Sequence, residues 1–198
     1  VEVFDPAGAR AAAWTPHGAR SYITAIAAAP DAIFVADAGE RLVLLYRPDG
    51  AFVRPIGGRD AARAIPGLVV PSPFLDLAMG KDGLLRVTNP GRRKVEAYSL
   101  EGDLCFAWGE AGAAIDRFCG CCNPVHLAVL PDGALVAAEK GLATVKVCEP
   151  DGALRCVVAG PDLLGENALG CDVAVDSRGR IVVLDPAAKK VRIFEPAP

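Results

Sequence analysis

The sequence predicts an all-β fold, a β-propeller built from about four and a half four-stranded blades. One strand-and-turn segment recurs at intervals of about 40–50 residues, and a second segment recurs just upstream of it in the same order. No stretch carries a convincing helical period longer than about three turns. Four-stranded units at this spacing are typical of propeller blades, and 198 residues suit a single domain over 1–198.

The first recurring segment is an apolar strand that ends in an aromatic residue, replaced by Cys148 in one copy, and is followed by an Asp/Pro/Gly turn. Its copies are VEVFDPAG from Val1, LVLLYRPDG from Leu42, KVEAYSLEG from Lys94, VKVCEPDG from Val145 and VRIFEPAP from Val191. The turn glycines follow one another at spacings of 42, 52 and 50 residues, at Gly8, Gly50, Gly102 and Gly152. Such turns favour tight connections between antiparallel strands.

The second segment supplies the first two strands of each blade. Alanines align in its four copies at Ala27, Ala78, Ala128 and Ala174, and polar residues close the second strand at Asp37, Asn89, Glu139 and Asp185. The two registers together place blades at about 21–57, 74–109, 124–160 and 170–194, after a half blade at 1–14. The last strand of the half blade, 9–14, is expected either to finish an incomplete blade or to pair with 191–194 and close a small ring.

The blades resemble those of NHL-repeat β-propellers. The resemblance is carried by AIAAAPDAIFVADAGERLVLLYRPDGAFVRPIG and DVAVDSRGRIVVLDPAAKKVRIF. Since NHL propellers usually close with six blades, it implies that these are the C-terminal part of a six-bladed propeller. The segment FCGCCNPVHLAVLPDGALVAAEKG is similar to a bacterial subgroup with a Gly-Cys-Cys-Asn-Pro motif. That subgroup is often exported, which implies a periplasmic or exported protein but no particular reaction.

Composition and motifs exclude several functional classes. A net charge of -3 and a pI near 5.4 argue against a nucleic-acid binder, which normally carries a basic patch. No apolar run approaches the roughly 18 residues that a membrane span requires. The only histidines are His17 and His126, and no nucleophile and base stand in a recognisable order. An ordinary hydrolytic enzyme is therefore the least favoured hypothesis.

Four of the seven cysteines are expected to meet on one face of the propeller. Cys119, Cys121 and Cys122 lie in the loop between two blades, and Cys171 lies at the equivalent place one blade later. Three interpretations remain open: structural thiols or a disulfide, a thiolate site for a metal ion or iron–sulfur cluster, and a redox-active thiol near Lys140. The remaining cysteines, at Cys105, Cys148 and Cys156, occupy apolar strand positions and are expected to be buried.

A polar position recurs on the inner strands. Asp76, His126 and Asp172 are equivalent to Ala25, two residues before each aligned alanine. They either hold loop amides locally or form a partial polar ring that binds water, a cation or a small ligand. With Glu139 and Lys140 from a loop expected on the same face, they make up the predicted ligand-binding set.

The leading functional hypothesis is a non-catalytic binding or scaffold propeller. It would present the inter-blade loops 116–125 and 58–73 to a protein or small-molecule ligand. The alternative is a metal- or thiol-dependent redox protein that uses Cys119, Cys121, Cys122 and Cys171. Loop 58–73 has an apolar centre, which would either cap the channel and meet a partner or pack over its own blade.

Overall fold

A computed structural model describes residues 1–15, 17–141, 143–165 and 170–195, and the all-β prediction is confirmed. A hairpin comes first, followed by four antiparallel sheets whose strands are neighbours in chain order. The strands are Glu2–Phe4 (β1), Arg10–Ala13 (β2), Ile23–Ala29 (β3), Ala32–Asp37 (β4), Leu42–Tyr46 (β5), Phe52–Ile56 (β6), Leu77–Met79 (β7), Leu85–Asn89 (β8), Lys94–Tyr98 (β9), Leu104–Trp108 (β10), His126–Val129 (β11), Leu135–Glu139 (β12), Thr144–Cys148 (β13), Leu154–Ala159 (β14), Asp172–Val175 (β15), Ile181–Asp185 (β16) and Lys190–Phe194 (β17). A 3-10 turn, Pro90–Arg92, and a short helix, Pro161–Leu164 (α1), complete the described elements.

The four sheets form a four-blade propeller arrangement about a common axis. The inner strands β3, β7, β11 and β15 contact one another in that order. Apolar side chains fill the space between successive blades, with Phe34 and Leu77 between the first and second, Val95 and Leu127 between the second and third, and Val136 and Val183 further on. No described helix is long and apolar enough to cross a membrane.

The N-terminal hairpin packs on the first blade. Val1 and Trp14 lie against Val35, Leu44 and Tyr46, and the indole of Trp14 stacks on the Tyr46 ring at 5.2 Å. Within the described ranges, β2 pairs only with β1 and β17 only with β16. The expected alternative in which 9–14 pairs with 191–194 is therefore wrong, since the first blade already provides the apolar surface that this hairpin covers.

The polar residues that close each second strand hold the incoming loop and the third strand. In the second blade, the Asn89 amide donates to Glu96 (2.8 Å) and accepts from the Val69 amide (2.9 Å). In the third blade, the Glu139 carboxylate pairs with Lys146 at 2.8 Å. The fourth blade repeats this with Asp185 and Arg192. These buried groups are hydrogen-bonded, which removes the cost of leaving them unpaired in the core.

Loop 58–73 packs over its own blade rather than standing free. Ile65, Leu68 and Val70 are buried in the core between the first two blades, whereas Val69 is 41% exposed. The Val69 carbonyl accepts from the Gly91 amide at 2.9 Å, which fixes the loop to the second blade. The apolar centre of this loop is thus a part of the core.

Two of the three strand cysteines are exposed, contrary to expectation. Cys148 is buried, and burial raises its pKa to about 11. Cys105 and Cys156 lie on β10 and β14, the outermost strands of their blades, and their side chains are exposed. An outer strand has a neighbouring strand on one edge only. The alternation of residues along such a strand does not show which of its two faces is covered by the rest of the protein.

Candidate functional site

The structure brings Asp76, His126 and Asp172 together. The imidazole Nδ1 of His126 lies 3.3 Å from Asp76 Oδ2 and 3.4 Å from Asp172 Oδ1. The strand register confirms that the three positions are equivalent, as expected from the sequence. His126 is opposite Ala138, Asp172 is opposite Leu184, and Asp76 is bonded to Thr88. Each of these partners is the residue before the polar residue that closes the second strand of its blade. In the described part of the chain, no other trio of His, Cys, Asp and Glu side chains is close enough to hold a metal ion.

Both carboxylates are held in place by backbone amides at the starts of inner strands. Asp76 Oδ1 accepts from the Leu77 amide and its Oδ2 accepts from the Leu127 amide, each at 2.8 Å. Asp172 Oδ1 accepts from the Val173 amide at 2.8 Å. Asp76 thus joins the second blade to the third. The two carboxylates hold backbone amides locally, as one of the predicted roles requires, and they also lie close to the same imidazole.

The environment of His126 favours the imidazolium. Burial alone would lower the pKa of His126, but the hydrogen bond to Asp76 and the negative charges of Asp76 and Asp172 outweigh burial and raise this pKa above its ordinary value. Phe74 meets the imidazole edge to face at 5.8 Å between ring centroids. Phe74 therefore forms one wall of the cluster.

The loop after Phe118 forms a cleft that Phe74 also lines. Asn123 organises this loop, because its side chain accepts from the Lys140 amide (2.9 Å) and donates to the carbonyls of Cys119 and Lys140. The Lys140 ammonium donates to Ser72 Oγ at 3.1 Å and lies 4.7 Å from the centre of the Phe74 ring. The resulting open cleft has a volume of about 530 Å³ and is lined by Phe74, Gly120, Cys121, Cys122, Asn123, Lys140 and Gly141.

Glu139 supports the cleft from beneath rather than lining it. Its carboxylate is 4% exposed, and its Oε2 accepts from the Cys119 amide at 2.8 Å. Its other oxygen faces Lys146, whose ammonium also donates to the carbonyls of Ile115 (3.2 Å) and Arg117 (2.7 Å). Both oxygens of Glu139 are therefore bonded within the protein interior, and Glu139 does not line the cleft.

The four loop thiols do not converge as one donor set. Sγ of Cys121 lies 3.2 Å from Sγ of Cys122, whereas Cys171 is buried in the core between the third and fourth blades, where burial raises its pKa. Cys119 is half-buried, and all seven cysteines are free. The structure thus supplies a vicinal dithiol and does not favour the four-thiolate metal or cluster site.

Cys122 is the thiol whose environment favours the thiolate. Burial alone would raise the pKa of Cys122. Hydrogen bonds from Cys121 and Ser72 outweigh burial, with a further contribution from the positive charges of Lys140 and Arg93, and the pKa of Cys122 falls below its ordinary value. Lys140 and Arg93 thus place two positive charges near Cys122.

Sequence reasoning missed Phe74 and Ser72 as members of the site. Phe74 begins the second copy of the inner-strand segment, and Ser72 ends the loop before it. Nothing in the spacing of either residue indicated that it would reach Lys140, which is 68 positions from Ser72 along the chain. Asn123, which organises the loop, belongs to the Gly-Cys-Cys-Asn-Pro motif, so this residue could have been identified from the motif.

A second cleft, of about 470 Å³, lies between the outer parts of the third and fourth blades. Its walls are mostly apolar, with Val157, Ile181 and Phe194 among them. Its cation is Arg155, whose guanidinium is already paired with Glu149 (2.7 Å) and Asp132 (2.6 Å). The loop-face cleft is the stronger candidate because its polar groups converge on open space.

Comparison with known proteins defines the fold alone. No family model matches the chain, and no curated protein is significantly similar to it in sequence. A streptogramin B lyase structure superposes with a TM-score of 0.66 at 12% identity, covering 100% of this chain and 62% of the lyase. The virginiamycin B lyase from Staphylococcus aureus gives 0.60 at 12% identity, over 92% of this chain and 58% of the lyase. Kuenenia stuttgartiensis hydrazine synthase gives 0.58 at 14% identity, over 90% and 51%.

These neighbours carry out different chemistry on similar scaffolds, as their names state. At 12–14% identity the superpositions carry no information on reaction or ligand. The chain also spans less than two thirds of either lyase. Its structural neighbours are virginiamycin B lyase-like β-propellers, and the similarity to them is one of fold.

Proposed function

We propose that this chain is a non-catalytic binding propeller of the NHL-repeat type, which holds a small ligand on its loop face. The ligand would carry an anionic group beside an aromatic or apolar body. Support for the NHL type comes from the repeat register, in which aligned alanines and turn glycines recur in successive blades. The observation that carries the binding role is the cleft between Phe74, the Cys121–Cys122 pair and Lys140.

The size and lining of this cleft suit a small molecule. Its volume of about 530 Å³ falls within the range of roughly 300–1,000 Å³ that is usual for ligand sites. Phe74 offers an aromatic wall, and the backbone at Gly120 and Gly141 leaves the mouth unobstructed because these residues have no side chains. Among the described residues, the Lys140 ammonium donates one hydrogen bond, to Ser72, so two of its three N–H groups are available for a ligand.

The charge around the cleft favours an anion. The positive charges of Lys140 and Arg93 both lower the pKa of Cys122. The Arg93 guanidinium is fixed to this loop by a 2.9 Å hydrogen bond from its Nε to the Gly120 carbonyl. A carboxylate or phosphate placed beside Lys140 would gain a charge-assisted hydrogen bond. Glu139, the acidic residue that precedes Lys140 in the chain, is already paired with Lys146.

Phenyl phosphate is a suitable probe, because its ring matches Phe74 and its phosphate matches Lys140. We expect it to shift the amide resonances of Gly120, Cys121 and Gly141 in a titration followed by heteronuclear NMR. Lys140→Met keeps the aliphatic contact with Phe74 and removes the charge, so affinity is expected to fall about 10- to 100-fold.

Lys81→Met is the matched control. Lys81 lies in the turn between β7 and β8, and first-to-second-strand turns project from the opposite end of a blade to Lys140. We expect this variant to bind phenyl phosphate as the unmodified protein does. Shifts spread over the blade surfaces, or equal losses in both variants, would contradict the proposed site.

A further inference from the structure

The trio of Asp76, His126 and Asp172 has the arrangement of a ligand set. The three residues lie at equivalent positions where three successive inner strands begin, and these strands contact one another in order. One imidazole and two carboxylates are the donors that divalent transition metals commonly take in proteins. Phe74 contacts both His126 and Lys140, but no member of the trio lines the cleft, so a site formed by the trio does not depend on whether that cleft binds an anion.

Both carboxylate oxygens approach the same nitrogen atom. Asp76 Oδ2 and Asp172 Oδ1 lie 3.3 and 3.4 Å from Nδ1 of His126. A ring nitrogen carries a single N–H, so it cannot donate a full hydrogen bond to two acceptors at once. Two acceptors around one donor atom is an inefficient hydrogen-bond arrangement, whereas a cation that displaces the proton from Nδ1 would be bound by the lone pairs of all three atoms.

The two distances from Nδ1 match the edges of a metal-centred polyhedron. For zinc ligands at about 2.0–2.1 Å from the ion, tetrahedral geometry separates the donor atoms by about 3.3–3.4 Å. The two distances from Nδ1 have these values, and the three donor atoms all lie within 4.8 Å of one another. The amides of Leu127 and Val173 hold the two oxygens in position, so little rearrangement is required to accept an ion.

The site is anchored on one side and open on the other. Asp76 is 12% exposed and His126 is 22% exposed, whereas the side chain of Asp172 is 60% exposed. Water or a ligand atom can therefore complete the coordination from the Asp172 side. We propose that Asp76 Oδ2, His126 Nδ1 and Asp172 Oδ1 form a three-residue site for a divalent transition metal of the zinc class, with an open position toward solvent.

The test is a calorimetric titration of zinc into the full chain after treatment with a chelator and desalting. We expect one zinc ion per chain. Loss of an outer-shell partner alone weakens metal binding by roughly 10–100-fold, so removal of a ligand in His126→Ala is expected to weaken it at least about 100-fold. Cobalt in place of zinc should give the visible absorption of a tetrahedral ion without a thiolate charge-transfer band.

Asp172→Asn distinguishes a ligand from a structural residue. The asparagine keeps an oxygen for the Val173 amide at an exposed position, so the metal-free variant should unfold at the same temperature as the unmodified protein. Its zinc affinity is expected to fall by roughly 10-fold or more. Lys140→Met should leave zinc binding unchanged, which separates this site from the proposed anion cleft.

The vicinal thiols provide the competing explanation for any zinc uptake. C121S/C122S should retain the one zinc ion and the cobalt spectrum. The proposal is overturned if the unmodified protein takes up no zinc. It is equally overturned if zinc binding survives in Asp172→Asn but is lost in C121S/C122S.

Discussion

Replacing Lys146 with methionine is expected to lower the free energy of unfolding by about 3–5 kcal/mol. The Lys146 and Glu139 side chains are 1% and 4% exposed, and their charged atoms lie 2.8 Å apart. Methionine keeps most of the packing against Phe118 but leaves the Glu139 carboxylate in the core without its cation. It also leaves the carbonyls of Ile115 and Arg117 without the ammonium that they accept from.

The measurement is urea unfolding of Lys146→Met beside two other variants. Arg155→Met removes an exposed cation with two carboxylate partners and should change the free energy of unfolding by about 0–1 kcal/mol. The double variant Glu139→Gln/Lys146→Met removes the uncompensated charge and should recover part of the loss. A Lys146→Met protein as stable as Arg155→Met would show that water reaches Glu139.

This ion pair also determines the shape of the candidate cleft. Lys146 holds the loop at Ile115 and Arg117, and Glu139 holds the amide of Cys119 two residues before Cys121. Asn123 then fixes the other end of the loop to Lys140. A single change at Lys146 is therefore expected to weaken phenyl phosphate binding as well as the fold, although the side chain does not line the cleft.

The inner-strand cluster could be predicted from the sequence because it depends on a repeat. Once the alanines were aligned, Asp76, His126 and Asp172 had to occupy one position on successive strands, and propeller geometry brings such positions together. The distances could not be predicted, because they depend on the amides of Leu127 and Val173, which hold the carboxylates toward the imidazole.

The predicted convergence of the four loop cysteines was wrong because consecutive side chains in a strand point to opposite faces. Cys171 immediately precedes Asp172, and consecutive side chains in extended backbone point to opposite faces. With Asp172 at the open cluster, Cys171 is directed into the core between the third and fourth blades. Proximity along the chain placed Cys171 at the correct end of its blade but not on the face that carries Cys121 and Cys122.

Loop 58–73 could be predicted as an insertion between blades, but not as a part of the core. Its apolar residues are compatible both with an exposed binding surface and with burial, and the pattern alone does not decide between them. The deciding contacts come from the second blade, where Asn89 accepts from the Val69 amide and donates to the Gly67 carbonyl. These partners lie about 20 positions further along the chain, beyond the reach of a local pattern.

Leu68→Ala is expected to lower the free energy of unfolding by about 2–5 kcal/mol, because it opens a cavity in the core between the first two blades. Leu68 is 6% exposed, and its side chain packs over Gly57, whose carbonyl accepts from the Leu68 amide at 3.1 Å. Urea unfolding would measure the loss. Val69→Ala, at the adjacent 41% exposed position, should cost about 1 kcal/mol or less.

The same pair of variants separates a core loop from a lid. A lid that opens for a ligand would tolerate Leu68→Ala with little loss of stability, and binding of phenyl phosphate would change instead. A core loop gives the opposite result: a large loss of stability in Leu68→Ala, a small one in Val69→Ala, and the same affinity for the probe in both variants under folding conditions. We expect the second outcome, because Ile65, Leu68 and Val70 are all buried against residues of the blades that they connect.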